Sequence, residues 1–308
     1  MKWAAALLAA AGLAATAGCA GVEAGPSAAM VLGVADPADQ AFAAAWVPDK
    51  RGHCPDLAGS MLSNAQTAAY GQAMERALAA RGVQTALVFH QSGVSRVLMP
   101  ANVRYGHGGV WVRQADGPGG RPRYLTYNLL AGHGTTACNR SDLVAWSAED
   151  FSKNLTALDS AVIVPTLALQ AKIAALLTTP VYARLHNPAF SMAANPLDGR
   201  FQNCAALLMR VIVAADRGLD DPAQVDAVIR QTFSPSRVRL VWPERLAGPL
   251  LSSRFASDDQ DWTLATASYE SIDAYMKAGG LSRETFVFYF DPRTPFAARA
   301  ARRPEIAP

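Results

Sequence analysis

Two residues in this sequence have surroundings that favour chemistry, Cys204 and His107. Cys204 stands in Phe201-Gln202-Asn203-Cys204-Ala205-Ala206-Leu207-Leu208-Met209-Arg210, after the polar, turn-prone approach Asn195-Pro196-Leu197-Asp198-Gly199-Arg200. Leu207, Leu208, Val211 and Ala215 share one helical face, Asn203 is a good N-cap type, and Gly218 after Asp216-Arg217 is a C-terminal stop. That pattern puts the cysteine in the first turn of a helix. There, unpaired N–H groups and the positive end of the helix dipole stabilise a thiolate and lower the thiol pKa. The bland alternative is one small apolar side chain in a core helix. His107 lies in Arg104-Tyr105-Gly106-His107-Gly108-Gly109-Val110-Trp111-Val112-Arg113, at the head of a strand-like segment with small neighbours. As a base it would serve a nucleophile; as a lone histidine beside glycines it would simply cap a strand.

The remaining thiols and imidazoles carry a weaker signal. Of four cysteines, Cys19 falls in an N-terminal leader, which leaves Cys54, Cys138 and Cys204. An odd count in an oxidising compartment points to one disulfide and one free thiol. Cys54 in Gly52-His53-Cys54-Pro55 and Cys138 in Thr136-Ala137-Cys138-Asn139 both sit in loop-like settings and are the expected pair. His53, Cys54, His133 and Cys138 are zinc-ligand types, but they lack any Cys-x-x-Cys or His-Glu-x-x-His spacing, so the disulfide is preferred and no metal or other cofactor is expected. Asp198 reads as a turn residue bonding its own backbone rather than as a general acid. No Gly-x-Ser-x-Gly elbow or phosphate-binding glycine loop occurs in the sequence.

The elements that must position these residues follow from periodicity and punctuation. A helix is expected over Asn64–Arg81 and a strand over Val83–His90. Residues 106–130 read as a β-hairpin turning at Asp116-Gly117-Pro118-Gly119-Gly120, with Arg123–Leu130 as the returning strand. Ala131–Ala145 reads as loop, Ser147–Leu155 as a capped helix, and Ala161–Pro165 as a short strand. Helices are expected over Leu167–Leu177, from Pro222 to about Phe233 behind the cap Asp221, and over Ser268–Ala278. Thr285–Phe290 is a final strand, and 234–261 stays unassigned. The pattern is α+β with an antiparallel centre.

A histidine heading a hairpin, followed later by Asn-Cys at a helix start, resembles the circularly permuted branch of the NlpC-type papain-like superfamily, which includes the lecithin:retinol acyltransferase-like proteins. From about Leu62 to Tyr289 the chain also resembles an exported proteobacterial family of unknown function, through Tyr105-Gly106-His107-Gly108-Gly109, Asn195-Pro196 and Phe201-Gln202-Asn203-Cys204. The superfamily resemblance implies a permuted papain-like core with a small antiparallel sheet and packed helices. It makes Cys204 the nucleophile and His107 its base. A polar residue on the partner strand would orient the imidazole; Thr126, Tyr127 and Asn128 are available, and Asn128 is the choice because its amide oxygen can accept from the ring. The oxyanion hole would join the Cys204 N–H to a donor such as Gln202.

Composition and the N-terminus set the compartment. The 308 residues are 51% hydrophobic and 17% charged, with a net charge of +3 and no aromatic-interleaved basic cluster, so nucleic acid is not an expected partner. Met1-Lys2-Trp3 precedes the apolar run Ala4–Ala17, which is shaped like an export signal. Ala17-Gly18-Cys19 resembles a lipobox with Cys19 as the lipidation site, while Ala15-Thr16-Ala17 also fits ordinary signal cleavage. The expected organisation is a leader over 1–19, a tether over 20–45, one α+β domain over 46–290 and a disordered tail over 291–308. The reading is an exported periplasmic or envelope protein, soluble or lipid-anchored. It would be a thiol-dependent hydrolase or acyltransferase acting on a peptidoglycan peptide or a lipid acyl group. The alternative is a non-catalytic envelope binding or structural module on a degenerate papain-like fold.

Overall fold

The central strands of this chain bury both faces, which makes their sheet the middle of three layers. The computed structural model describes residues 60, 62–92, 100, 102–132, 137–153, 155–238, 255–261 and 263–291. In chain order the elements are α1 (Asn64–Ala79), β1 (Thr85–Ser92), β2 (His107–Gly117), β3 (Arg121–Ala131), β4 (Ser141–Ser147), α2 (Ala148–Phe151), β5 (Leu155–Pro165), α3 (Leu167–Leu177) and α4 (Pro180–Arg184). They continue with α5 (Cys204–Arg217), α6 (Pro222–Thr232), β6 (Ser236–Val238), β7 (Leu264–Thr266), α7 (Tyr269–Ala278) and β8 (Ser282–Tyr289). The expected α+β class with an antiparallel centre is what the chain adopts. The main sheet has six strands in the order β4-β3-β2-β1-β5-β8, with every neighbour antiparallel, and β6 and β7 form a separate ribbon.

Period-two alternation splits the sheet's side chains between two cores. Leu87, Phe89, Val110, Tyr127, Leu129, Ala161 and Ile163 pack with Leu169, Ile173 and the buried face of α5. Ala86, Val88, Trp111, Tyr124, Val162 and Val164 pack the other way, with Tyr70, Met74 and Leu78 of α1 and Phe151 of α2. Each large aliphatic side chain buried in this way contributes roughly 1.5–3 kcal/mol. α1 is started by a capping box in which Ser63 and Gln66 bond each other's backbone.

Two expectations fail at the far side of the hairpin. The stretch read as loop up to Ala145 contains β4, which pairs with β3 from Leu125↔Ser147 to Ala131↔Ser141. The polar Ser141 and Asp142 and the short length mask this strand, and backbone pairing to an existing strand overrides weak local propensity. The helix expected over Ser147–Leu155 shrinks to Ala148–Phe151, capped by Ser147, because β5 begins at Leu155 and runs well ahead of the strand expected at 161–165. Hydrogen bonding of β5 to both β1 and β8 recruits its first half into the sheet.

Candidate active site

Asn203 decides where α5 begins. Its side-chain oxygen accepts from the Ala206 N–H at 2.8 Å, and its amide donates to Met192 O at 3.1 Å and Thr266 Oγ1 at 3.2 Å. With the cap held from both sides, Cys204 is the first helical residue; at the other end Gly218 closes the helix at φ 66°. The thiol is free and buried. Its Sγ donates to Gly106 O at 3.9 Å. The N–H groups of Gly108, Ala205 and Cys204 itself favour the thiolate, but burial outweighs them and pushes the thiol up to about 11. The sulfur is therefore protonated at neutral pH.

His107 does not meet it. A Cβ on Gly108 would lie 2.7 Å from Phe89 Cδ1 and 3.1 Å from Leu208 Cδ1, so Gly108 faces α5. The next residue along a strand faces the opposite way. The His107 ring accordingly lies with its centroid 5.3 Å from those of both His90 and Phe151, on the α1 side of the sheet. The structure makes no hydrogen bond between His107 and Cys204 among the described residues, and β2 itself stands between the two side chains. Burial lowers the imidazole to about 4, opposed by the Asn128 side chain.

Strand register settles which hairpin residue accompanies the histidine. Gly109 pairs with Asn128 and Val110 with Tyr127, so Asn128 shares the face of His107 while Tyr127 turns to the α5 side. Thr126 is on the histidine's face too, but it sits opposite Trp111 and its Oγ1 donates to Trp146 O at 3.0 Å. Asn128 Nδ2 donates to Thr126 O at 3.4 Å, and its Oδ1 has no hydrogen-bond partner among the described residues. Gln202, the expected oxyanion donor, is committed elsewhere: Nε2 donates to Leu185 O at 3.0 Å and Oε1 accepts from Asn187 N at 2.9 Å. It clamps the turn that delivers the chain to α5. Asp198 accepts from the Arg200 N–H and guanidinium, as a turn residue does.

Two features escaped sequence reasoning. His90 pairs directly with His107 across β1 and β2, and neither of its ring nitrogens has a hydrogen-bond partner among the described residues. Ser141 Oγ lies 3.0 Å from His186 Nε2 in a second buried pair, with burial and the nearby Arg210 and Arg140 lowering the imidazole to about 3. That pair braces the start of β4 against the turn after α4. Neither signal exists in a linear reading, because each depends on strand register or on contacts between distant segments. Cys138 is disulfide-bonded. Cys19, Cys54, His53 and His133 lie outside the described residues. Among the described residues no group of three or more His, Cys, Asp or Glu gathers as a metal centre, and no helix is long and apolar enough to cross a membrane.

In comparisons with known proteins, residues 77–276 match the model of a family described as an uncharacterized protein conserved in bacteria, DUF2145. No curated protein and no solved structure matches the chain.

Proposed function

The chain belongs to that bacterial family, and we propose that its domain is a non-catalytic binding module of the cell envelope that keeps the parts of a thiol site without assembling them. The observation that carries this reading is the sheet itself: Cys204, at the start of α5, packs against one face of it, whereas His107 and Asn128 lie on the other, facing α1. A cysteine hydrolase needs its base within hydrogen-bond reach of the sulfur. Here the sulfur's hydrogen-bond partners among the described residues are backbone groups, and burial holds it as the neutral thiol. The envelope assignment rests on the export-signal pattern of residues 1–19. A peptidoglycan peptide or a lipid acyl group is then the class of ligand at hand.

A thiol-dependent hydrolase or acyltransferase of the permuted papain-like kind remains the second reading, favoured by two observations. Backbone N–H groups converge on Sγ at a capped helix start, and Asn128 accompanies His107 as an orienting amide would. For that chemistry, the first residues of β2 would have to peel away and turn His107 across the sheet. Alkylation of the folded protein by iodoacetamide, followed by intact mass, separates the two. The expected result is negligible labelling of Cys204 near neutral pH, a rate that climbs as pH approaches about 11, and no change in His107→Ala. Rapid labelling near neutral pH that slows in His107→Ala would overturn the binding-module reading in favour of the enzyme.

A further inference from the structure

The β2–β3 hairpin runs past its neighbours in the sheet as a two-stranded arm. The last β1 pair with β2 is Thr85↔Val112, and the last β4 pair with β3 is Leu125↔Ser147. Beyond those points Gln114–Asp116, Pro118–Arg121 and Arg123 are exposed. The basic residues of the arm are all arginines, Arg113, Arg121 and Arg123. Arg76 near the end of α1 joins them, since Arg121, Arg123 and Arg76 all act on the buried carboxyl of Glu75. The carboxylates in contact with this group are committed. Glu75 accepts from the Tyr124 N–H at 2.9 Å, and Asp116 pairs with Arg113. Arg121 and Arg123 make no hydrogen bond or ion pair among the described residues. Two positions apart on one strand, they leave the same face about 7 Å from each other.

The arm's composition narrows what it can meet. Protein interfaces are anchored by buried aromatic and large aliphatic side chains. Between Gln114 and Arg123 there are none; the apolar residues are Ala115, Pro118 and Pro122, with glycine at 117, 119 and 120. Pro122 has no N–H to offer a ladder, which makes the arm a poor template for an added strand. A small anion needs a pocket to enclose it, and exposed guanidinium groups on a protruding arm do not form one. Unpaired arginines on such an arm fit an extended surface of phosphates, because each planar fork can hold a phosphate through two N–H groups. The export-signal pattern of residues 1–19 favours a phospholipid leaflet over nucleic acid as the source of those phosphates.

We propose that the β2–β3 arm, through Arg121 and Arg123, docks the domain on an anionic phospholipid surface. The inference rests on the envelope assignment and not on the state of Cys204, so its failure would leave the alkylation result as it stands. The test is co-sedimentation of the full chain with vesicles of phosphatidylcholine alone and with vesicles containing phosphatidylglycerol. The apolar run Ala4–Ala17 would partition into both alike, so the difference between the two vesicles is what is read. The expected result is a preference for the anionic vesicles that fades as salt is raised. Arg121→Gln/Arg123→Gln should weaken that preference by about 5-fold for each arginine removed. Arg230→Gln/Arg237→Gln, which takes the same charge from exposed positions on α6 and β6, should leave it unchanged. Both arm residues are exposed, and matching thermal melts of the variant and the unsubstituted chain establish that the fold is kept. No preference for anionic vesicles, or equal losses in the two double variants, would overturn the proposal. Tighter binding to duplex DNA than to the vesicles, phosphate for phosphate, would also overturn it, in favour of a nucleic-acid partner.

Discussion

Position relative to the sheet gives His107 and Cys204 opposite surroundings and a shared outcome, since burial keeps each neutral at pH 7. For His107 this has a consequence for stability without any ligand. Its folded pKa of about 4 lies below the ordinary 6.5, so between those values the unfolded chain binds the proton that the folded chain refuses. Stability is therefore full above about pH 6.5 and falls as pH drops toward 4, by at most about 3 kcal/mol from this group. His90, held low by burial and by His107, adds to the same trend. We expect urea unfolding of the protein to show that decline, and His107→Gln to flatten it. An equally steep decline in the variant would mean that other groups carry the acid sensitivity.

At the scale of elements, β2 is the part on which both neighbourhoods depend, and its glycines are the reason it fits. Gly108 lets Phe89 and Leu208 close over the strand, while a Cβ on Gly109 would lie 2.8 Å from Phe151 Cε2. Gly108→Ala should destabilise the domain by about 1–3 kcal/mol, as overpacking between an aromatic ring and a helix does. Gly106→Ala meets only the end of the Gln91 side chain, at 3.2 Å, and should change stability by less than about 1 kcal/mol. Denaturant midpoints of the two variants test the contrast. Equal losses would mean that the fit of Gly108 against α5 is not what β2 requires.

Considered whole, the molecule is larger than the stretch its family shares. The match over 77–276 begins inside α1 and ends inside α7, leaving out Tyr70 and Met74 as well as all of β8. Yet Tyr70 packs edge-on against Phe288 and Phe290, and its hydroxyl bonds Ser160 on β5. A fragment cut at 77–276 would expose the α1 face of β5 and should show no cooperative thermal transition, whereas 60–291 should melt as one unit. Circular dichroism decides it; a cooperative melt of the shorter fragment would show that α1 and β8 are dispensable. Cys138 adds a covalent tie. Non-reducing peptide mapping is expected to identify Cys54 as its partner and leave Cys204 unbridged; a bridge to Cys204 would refute the pairing.

What the sequence determined by itself was local: the Asn203 cap and Gly218 stop around α5, the Asp221-Pro222 start of α6, and the hairpin turn at residues 117–120. These signals lie within a few residues of what they specify, because caps and tight turns are made by neighbouring backbone and side chains. The α+β class was legible for the same reason, from the alternation of helical and strand periods. Tertiary structure alone decided what β4 is, how far β5 extends, and which way His107 points. A strand's side chains alternate with period two, so pairing register places a residue on one face or the other, and register is set by distant partners. Side-chain chemistry alone preferred Asn128 to Tyr127 as the histidine's companion, but only the Gly109↔Asn128 pairing shows that it lies on the histidine's face. By the same rule that register placed His107 beside His90 and away from Cys204.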